Sequence, residues 1–211
     1  MEGLRTEEAL VVIVVTLLAY GCPIQAIVHA YGLDERTVAS WQKRGGKQCQ
    51  RVHAAIVEQG KLALSHIQAD ELRAKGRQMI VWMAFAVDAT TRLFLAGVVS
   101  ERRDSALADQ LFRHVRACCR RVTELLVCTD GWNAYPNSIR RAFREKVKTT
   151  PGIGRCSLIV WSGLCIATVI KRTEKMRVVE VTRKLTEGGT ERARRLAFGH
   201  CRLQRVQYGL D

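Results

Sequence analysis

The chain has 211 residues, a formal net charge of +14 and a pI near 9.9. This charge favours a polyanionic partner, usually nucleic acid, although a solvated basic surface is the alternative. The 47% hydrophobic content excludes a disordered basic tail protein, and 6% aromatics argue against a base-stacking RNA-binding platform. None of the eight cysteines forms a C-x-x-C pair, so we expect reduced thiols instead of zinc ligands or disulfides.

The first predicted element is an apolar segment, residues 9–22. It is shorter than the roughly 20 residues that span a membrane. Glu2, Glu7 and Glu8 precede it, where a signal peptide carries positive charge. We therefore expect a buried helix, no membrane association and a cytoplasmic location.

Two further helices follow, over residues 24–31 and from residue 35 to about residue 44. Gly32 is typical of a helix C-terminus, Asp34 of an N-cap, and Gly45-Gly46 is expected to end the third helix. This spacing predicts a DNA-binding helix-turn-helix within residues 1–45, with an ordinary helical hairpin as the alternative. Residues 46–65 are predicted to be a helical connector.

The outer face of the third helix carries the candidate DNA-binding residues. Arg36 and Gln42 have side chains that can reach base edges, and Lys43 and Arg44 suit phosphates. Ser40 shares this face. The net charge of the chain supports the same interpretation.

From about residue 66 onward the pattern becomes rich in strands. The predicted order is three strands in an antiparallel meander, a helix capped by Asp104, a short strand and another helix. The ranges of the four strands are 65–72, 78–87, 92–99 and 124–129, and the last helix covers 132–144. This order is the front half of a ribonuclease H-like fold. The fold class is therefore α/β (α+β), an N-terminal helix-turn-helix followed by an incomplete ribonuclease H-like mixed sheet with flanking helices, over residues 66–185.

Asp70 lies on the first strand of this fold, and Asp130 ends the fourth. These two strands are neighbours in such a sheet, so the two carboxylates would meet. Two close carboxylates repel unless cations separate them, and two Mg²⁺ (or Mn²⁺) ions are the natural solution. Two alternatives stay open: Glu71 as the inward acid in place of Asp70, and Asp130 as a turn residue of the Asp-Gly type.

Three segments carry a family resemblance. They are IQADELRAKGRQMIVWMAFAVDATTRLFLAGVVSERRDSALADQL, LLVCTDGWNAYPNSIRRAFREKVK and WSGLCIATVIKRTEKMRVVEVTRK. With the preceding helices they resemble bacterial insertion-sequence transposases of the DDE type, over most of residues 20–185. The resemblance implies metal-dependent strand cleavage and transfer on double-stranded transposon ends, a homo-oligomer on that DNA, and Asp70 and Asp130 as the first and second metal-binding acids.

The resemblance also implies a third acid, a glutamate within an asparagine-rich helical element that this chain lacks. Glu174 and Glu180 lie in a strand-like stretch, and Glu187 lies next to two glycines. Glu191, at the start of the predicted helix ERARRLAF, is the best substitute. The third acid is therefore unknown, with Glu191 as a weak candidate.

The final segment, residues 186–211, is a divergent basic tail that loses the resemblance. We expect a truncated or frameshifted transposase that is unable to complete transposition alone. Residues 171–205 hold eleven lysines and arginines against four glutamates, which fits either DNA phosphate contact or a solvated surface. The alternatives to an active recombinase are a repressor with a ligand-sensing domain and a dominant-negative binder of element ends.

Overall fold

A computed structural model describes residues 6–75, 79–148, 156–175 and 177–199. Within it the chain divides into two units, residues 1–60 and residues 61–211. The segment from residue 200 to the C-terminus, which contains most of the divergent tail, lies outside the described residues. None of the described helices is long and apolar enough to cross a membrane.

The N-terminal unit consists of helices. Their bounds are α1 Glu8–Ala19, α2 Ile24–Tyr31, α3 Glu35–His53 and a π-helical turn Ala54–Glu58. Gly32 follows α2 in the left-handed region, with φ of 61°. Asp34 caps α3, because its carboxylate accepts the backbone N–H groups of Arg36 and Thr37. The turn between α2 and α3 therefore has the capping residues that the sequence predicts.

A small core joins these three helices. Its buried members are Val11, Val14, Ile27, Val38 and Trp41. The apolar segment of α1 is a helix, as predicted, but it is buried along one side only. The neighbouring side chains on its other side are more than 40% exposed, Val12 and Ile13 among them.

The predicted end of α3 at Gly45-Gly46 is wrong. The helix continues through both glycines to His53, and the π-helical turn extends it to Glu58. A glycine costs about 1 kcal/mol in a helix interior, which weakens a helix without ending it. Neither glycine has the positive φ of a helix-terminating residue. The first part of the predicted connector therefore belongs to the same helix as the candidate DNA-binding residues.

The C-terminal unit is built on a six-stranded mixed sheet with the order β3-β2-β1-β4-β7-β8. Its strands are β1 His66–Lys75, β2 Ile80–Asp88, β3 Phe94–Ser100, β4 Leu125–Thr129, β7 Leu164–Glu174 and β8 Arg177–Glu187. A separate hairpin pairs β5 Arg144–Val147 with β6 Ser157–Val160. Gln78, the predicted start of the second strand, lies outside the described residues.

The pairing directions are those of a ribonuclease H-like sheet. The strands β1, β2 and β3 form the predicted antiparallel meander, while β4 lies parallel to both β1 and β7. The predicted mixed α/β fold with flanking helices is thus confirmed. The parallel pairing matters for function because it places the C-terminal end of β4 next to the middle of β1.

Helices flank this sheet. Their bounds are α4 Ser105–Cys118 and α5 Ala134–Ala142, with α6 Thr190–Phe198 after the last strand. A continuous apolar stripe along α4 is buried, and its members include Leu107, Leu111 and Val115. Tyr135 of α5 is fully buried and makes an edge-on ring contact with Phe112 of α4. This packing fixes α5, which begins shortly after Asp130, against α4.

Candidate functional site

Three carboxylates meet where β1 runs past the end of β4. The last register pair of these parallel strands is Ala69 with Thr129, so Asp70 and Asp130 each follow one residue later. Asp70, Glu71 and Asp130 each offer one oxygen within 4.8 Å of the others. The structure thus brings the two predicted acids together and adds the residue that was the alternative to Asp70.

The two neighbouring acids of β1 point to different sides of the sheet. Asp70 lies on the exposed side with Gln68, whereas the Glu71 side chain is only 4% exposed. Strand alternation predicts this difference. Glu71 nevertheless reaches the same place, because β4 has ended and no strand separates the two faces there. One Asp70 oxygen, Oδ1, accepts the Glu71 backbone N–H at 2.8 Å.

Asp130 is held in a turn at the end of β4. Its Oδ1 accepts the backbone N–H of Trp132 at 3.0 Å, and its Oδ2 lies 3.9 Å from a guanidinium nitrogen of Arg103. Burial raises the pKa of Asp130, and the charges of Glu71 and Asp70 raise it further against the lowering effects of the Trp132 N–H and Arg103. The ionised carboxylate is therefore short of positive charge, which a cation would supply.

Arg103 is the cation already present at this cluster. Its Nε donates to Glu71 Oε1 at 2.8 Å, and its Nη2 donates to the same oxygen. The guanidinium carbon lies 4.6 Å from the ring centroid of Trp132 and 5.3 Å from that of Trp82. Arg103 carries no sequence signal of this role, since nothing in SERRD distinguishes it from the adjacent Arg102.

Tyr135 completes the surroundings of Glu71. Its hydroxyl donates to Glu71 Oε2 at 2.7 Å. Burial raises the pKa of Tyr135 far above its ordinary value, and the hydrogen bond to Glu71 contributes to the same shift. The phenol therefore stays a neutral donor at physiological pH.

The donors at the cluster suit a hard divalent cation. Three carboxylates against one guanidinium leave a local excess of negative charge, and carboxylate oxygens are the ligands that Mg²⁺ and Mn²⁺ prefer. The nearest thiol does not change this preference: burial raises the pKa of Cys128 to about 11, so it stays protonated. The residues present thus fit the predicted cofactor class, with Asp70 as the most accessible ligand.

An open cleft of about 690 Å³ lies on the Asp70 side of the cluster. Its lining includes Asp70, Asp130, Gly131, Cys128 and Lys171. The last of these comes from β7, which continues beyond the end of β4. The cleft therefore joins the carboxylates to the first lysine of the basic β7–β8 hairpin.

The structure does not bring Glu191 into the acid cluster. It lies in the first turn of α6, whose Arg195 donates to Glu124 at 2.5 Å. Glu124 precedes β4 and Asp130 follows it, so about 20 Å of strand separates the two. Glu191 itself is exposed and lies 3.9 Å from Arg194. Among the described residues, the carboxylate cluster consists of Asp70, Glu71 and Asp130.

The candidate DNA-binding side chains lie on the solvent side of α3. Val38 and Trp41 of the same helix are buried in the core of the N-terminal unit. The five predicted residues are all exposed: Arg36, Ser40, Gln42, Lys43 and Arg44. The packing leaves this row of side chains available to a partner.

Comparisons with known proteins bear on this site. Residues 65–151 match the family model of IS240-type transposases, whose description is a DDE domain. This range contains Asp70, Glu71, Arg103, Asp130 and Tyr135. No curated protein matches the chain.

A similar solved structure is an endonuclease V from Bacillus subtilis, with 10% sequence identity and a TM-score of 0.25. The match covers 63% of this chain and 57% of that one, so the chain spans little more than half of the endonuclease. Such a distant likeness carries no argument about this protein. The family model does, for one segment: residues 65–151 are similar to the DDE domain of insertion-sequence transposases.

Proposed function

We propose that this protein binds the DNA ends of an insertion sequence and holds divalent cations between Asp70 and Asp130. The observation that supports this proposal is the convergence of two acids where the end of β4 meets its parallel neighbour β1, inside a segment that matches a DDE domain. A ligand-sensing repressor has no need for such convergence. We place the protein in the cytoplasm, acting as a homo-oligomer on double-stranded DNA.

The chain's own groups have distinct tasks at this site. Asp70 faces the open cleft and offers its carboxylate to a cation next to an incoming phosphodiester. Asp130 approaches from the end of β4, with one oxygen held by the Trp132 N–H. A bound Mg²⁺ or Mn²⁺ would act as a Lewis acid on the phosphate oxygens and would activate the attacking water or hydroxyl.

DNA contact is assigned to two basic surfaces. The first is the exposed row on α3, in which Arg36 and Gln42 read base edges while Lys43 and Arg44 bind phosphates, with Ser40 beside them. The second is the β7–β8 hairpin, which begins at the cleft with Lys171. Its other exposed basic residues are Arg172, Lys175, Arg177, Arg183 and Lys184.

We further propose that the protein binds element ends without completing strand cleavage. Phosphoryl transfer at a two-metal site depends on ligands that fix both cations. Of the three clustered acids, Glu71 has both oxygens engaged by Arg103 and Tyr135. Glu191 belongs to the other end of the sheet. Two available carboxylates would hold cations weakly. The protein would therefore stay bound to the element ends without cleaving them, and it would compete with an active transposase for these ends.

The test uses the full chain and a duplex that carries the ends of the encoding element. We expect binding that weakens at least tenfold between 50 and 200 mM salt, because phosphate contacts release counterions. Lys43→Gln should weaken binding, whereas the control Lys146→Gln, on the β5–β6 hairpin, removes the same charge and should have little effect. Salt-independent binding would contradict the assignment of phosphate contacts.

Strand cleavage is measured on the same duplex with Mg²⁺ or Mn²⁺. We expect no nicking above that of a preparation carrying Asp130→Asn. Nicking by the unmodified chain that disappears in Asp130→Asn would contradict the proposed loss of cleavage, and it would leave the metal assignment intact.

A further inference from the structure

Glu71 lies within the carboxylate cluster, yet both of its carboxylate oxygens accept hydrogen bonds from other side chains. Oε1 accepts two N–H groups of Arg103, and Oε2 accepts the Tyr135 hydroxyl at 2.7 Å. The side chain is only 4% exposed. A carboxylate whose two oxygens are both occupied by charge-assisted or buried donors is a poor candidate for a metal ligand.

Arg103 is held from three sides. Glu71 fixes its Nε edge, and the Trp82 and Trp132 rings lie against the guanidinium. In this position Nη2 lies 3.9 Å from Asp130 Oδ2. The backbone N–H of Trp132 binds the other Asp130 oxygen. Both oxygens of Asp130 are therefore next to groups that belong to one connected network.

The network is anchored in the core of the C-terminal unit. Tyr135 is fully buried, and its ring packs edge-on against Phe112 and Trp132. A continuous path therefore runs from the α4–α5 packing through Tyr135, Glu71 and Arg103 to Asp130. The first link is the ring contact between Phe112 and Tyr135, and each later link is a hydrogen bond or a close charge contact.

We propose that Glu71, Arg103 and Tyr135 are positioning residues that orient Asp130 for cation binding, and that Glu71 is not itself a metal ligand. This inference rests on the proposed function of Asp70 and Asp130. In this inference the Glu71 carboxylate orients the site through Arg103 and does not bind the cation. Outer groups of this kind commonly change metal affinity by 10- to 100-fold when they are altered.

Tyr135→Phe distinguishes the two roles of Glu71 without changing any charge. If Glu71 is a positioning residue, loss of the hydroxyl loosens the path to Asp130 and weakens Mn²⁺ binding by roughly tenfold. If Glu71 is a latent ligand, the variant frees Oε2 and strengthens Mn²⁺ binding. The affinity is measured on the full chain by the electron paramagnetic resonance signal of free Mn²⁺. The control Tyr20→Phe alters an exposed tyrosine of the N-terminal unit and should leave the affinity unchanged.

Arg103→Lys provides a second variant in case Tyr135→Phe unfolds the protein. Lysine keeps the charge but loses the planar fork that binds Glu71 and stacks on both indoles. We expect weaker Mn²⁺ binding again, with Arg102→Lys as the matched control. Unchanged or stronger binding in Arg103→Lys or in a folded Tyr135→Phe overturns the proposal. So does a Mn²⁺-bound structure in which a Glu71 oxygen coordinates the ion.

A metal-free measurement separates this inference from the proposed function. Absence of Mn²⁺ binding by the unmodified chain would contradict the proposed function. In that case the hydrogen bonds between Arg103 and Glu71 are tested separately by the side-chain Nε–H signal of Arg103 in nuclear magnetic resonance. The signal is assigned by its loss in Arg103→Lys. We expect a protected signal that exchanges rapidly in Glu71→Gln. A signal that stays equally protected in Glu71→Gln overturns the network.

Discussion

The two ends of the six-stranded sheet use the same kinds of side chain in opposite balance. Where the C-terminal end of β4 meets β1, three clustered carboxylates share one guanidinium, which lies between two indole rings. At the N-terminal end of β4, Glu124 faces Arg192 and Arg195, and Glu145 pairs with Arg121. Nearby, Arg116 and Arg121 lie within 4.7 Å of the Trp161 ring centroid.

This contrast in charge balance distinguishes the proposed cation-binding site from a structural ion-pair cluster. An excess of carboxylates leaves charge that burial makes unfavourable, and a bound cation relieves it. At the basic end, four arginines outnumber two glutamates, and solvent screens these partly exposed charges readily. We therefore expect substitutions at the acid end to change cation affinity, and substitutions at the basic end to change stability.

Trp161→Ala should produce the largest effect, and it should be an effect on stability. The ring is 2% exposed, contacts Phe143 and supports two arginines, so its loss should cost about 3–5 kcal/mol in the free energy of unfolding. Urea unfolding measures this change. The Mn²⁺ affinity of the folded fraction should change less than twofold. A larger change would contradict the expectation that substitutions at the basic end leave cation affinity unaffected.

Trp161→Phe is the matched control. The buried Trp161 Nε1 has no hydrogen-bond partner among the described residues, so phenylalanine removes an unsatisfied donor while it keeps most of the apolar surface. We expect Trp161→Phe to retain most of the stability that Trp161→Ala loses. An equal loss in both variants would show that the indole nitrogen has a partner.

Asp70→Asn should have the next largest effect, at the opposite end. Removing the most accessible carboxylate should weaken Mn²⁺ binding about a hundredfold, or about 2.7 kcal/mol. Calorimetric titration measures the affinity. Glu124→Gln removes the same charge at the other end of the sheet and should change the affinity little. Equal losses in the two variants would show that general charge, and not the cluster, binds the ion.

The pH dependence of stability should show that the folded state disfavours the ionised form of Asp130. Burial and the neighbouring carboxylates raise the pKa of Asp130 above the unfolded value of 3.8, so the folded state binds this proton more tightly. Ionisation of Asp130 consequently lowers stability as the pH rises from the unfolded pKa to the folded one. In metal-free protein, Asp130→Asn should therefore raise the Tm at pH 7 but not at pH 3.

The expected rise in Tm is small, because the Asp130 side chain is 38% exposed and solvent screens its interactions. Scanning calorimetry in the presence of a chelator measures it. Added Mn²⁺ should give the unmodified chain the higher Tm, since only the unmodified chain is stabilised by binding the ion. An equal Tm difference at both pH values would mean that the substitution acts through the turn and not through charge.

The same comparison explains what the sequence could and could not predict. The convergence of Asp70 and Asp130 was predictable because the strand order of the predicted fold makes β1 and β4 neighbours. Arg103 and Tyr135 were not, because their contacts with Glu71 depend on where a loop and a helix place long side chains. The end of α3 was mispredicted for a related reason: a glycine pair weakens a helix, but tertiary packing decides where it ends.

Glu124→Gln should give the smallest effect on stability. Its carboxylate lies 2.5 Å from Arg195 and 3.5 Å from Arg192, but it is 33% exposed and Arg195 is 64% exposed. Exposed ion pairs of this kind contribute about 0.2–1 kcal/mol each, and salt screens them. Urea unfolding in 50 mM and 500 mM NaCl should therefore show a small loss of stability that fades at high salt. A salt-independent loss of several kcal/mol would show that the basic end also contains a buried charge network. The two ends would then differ in the sign of their net charge but not in the burial of their charged groups.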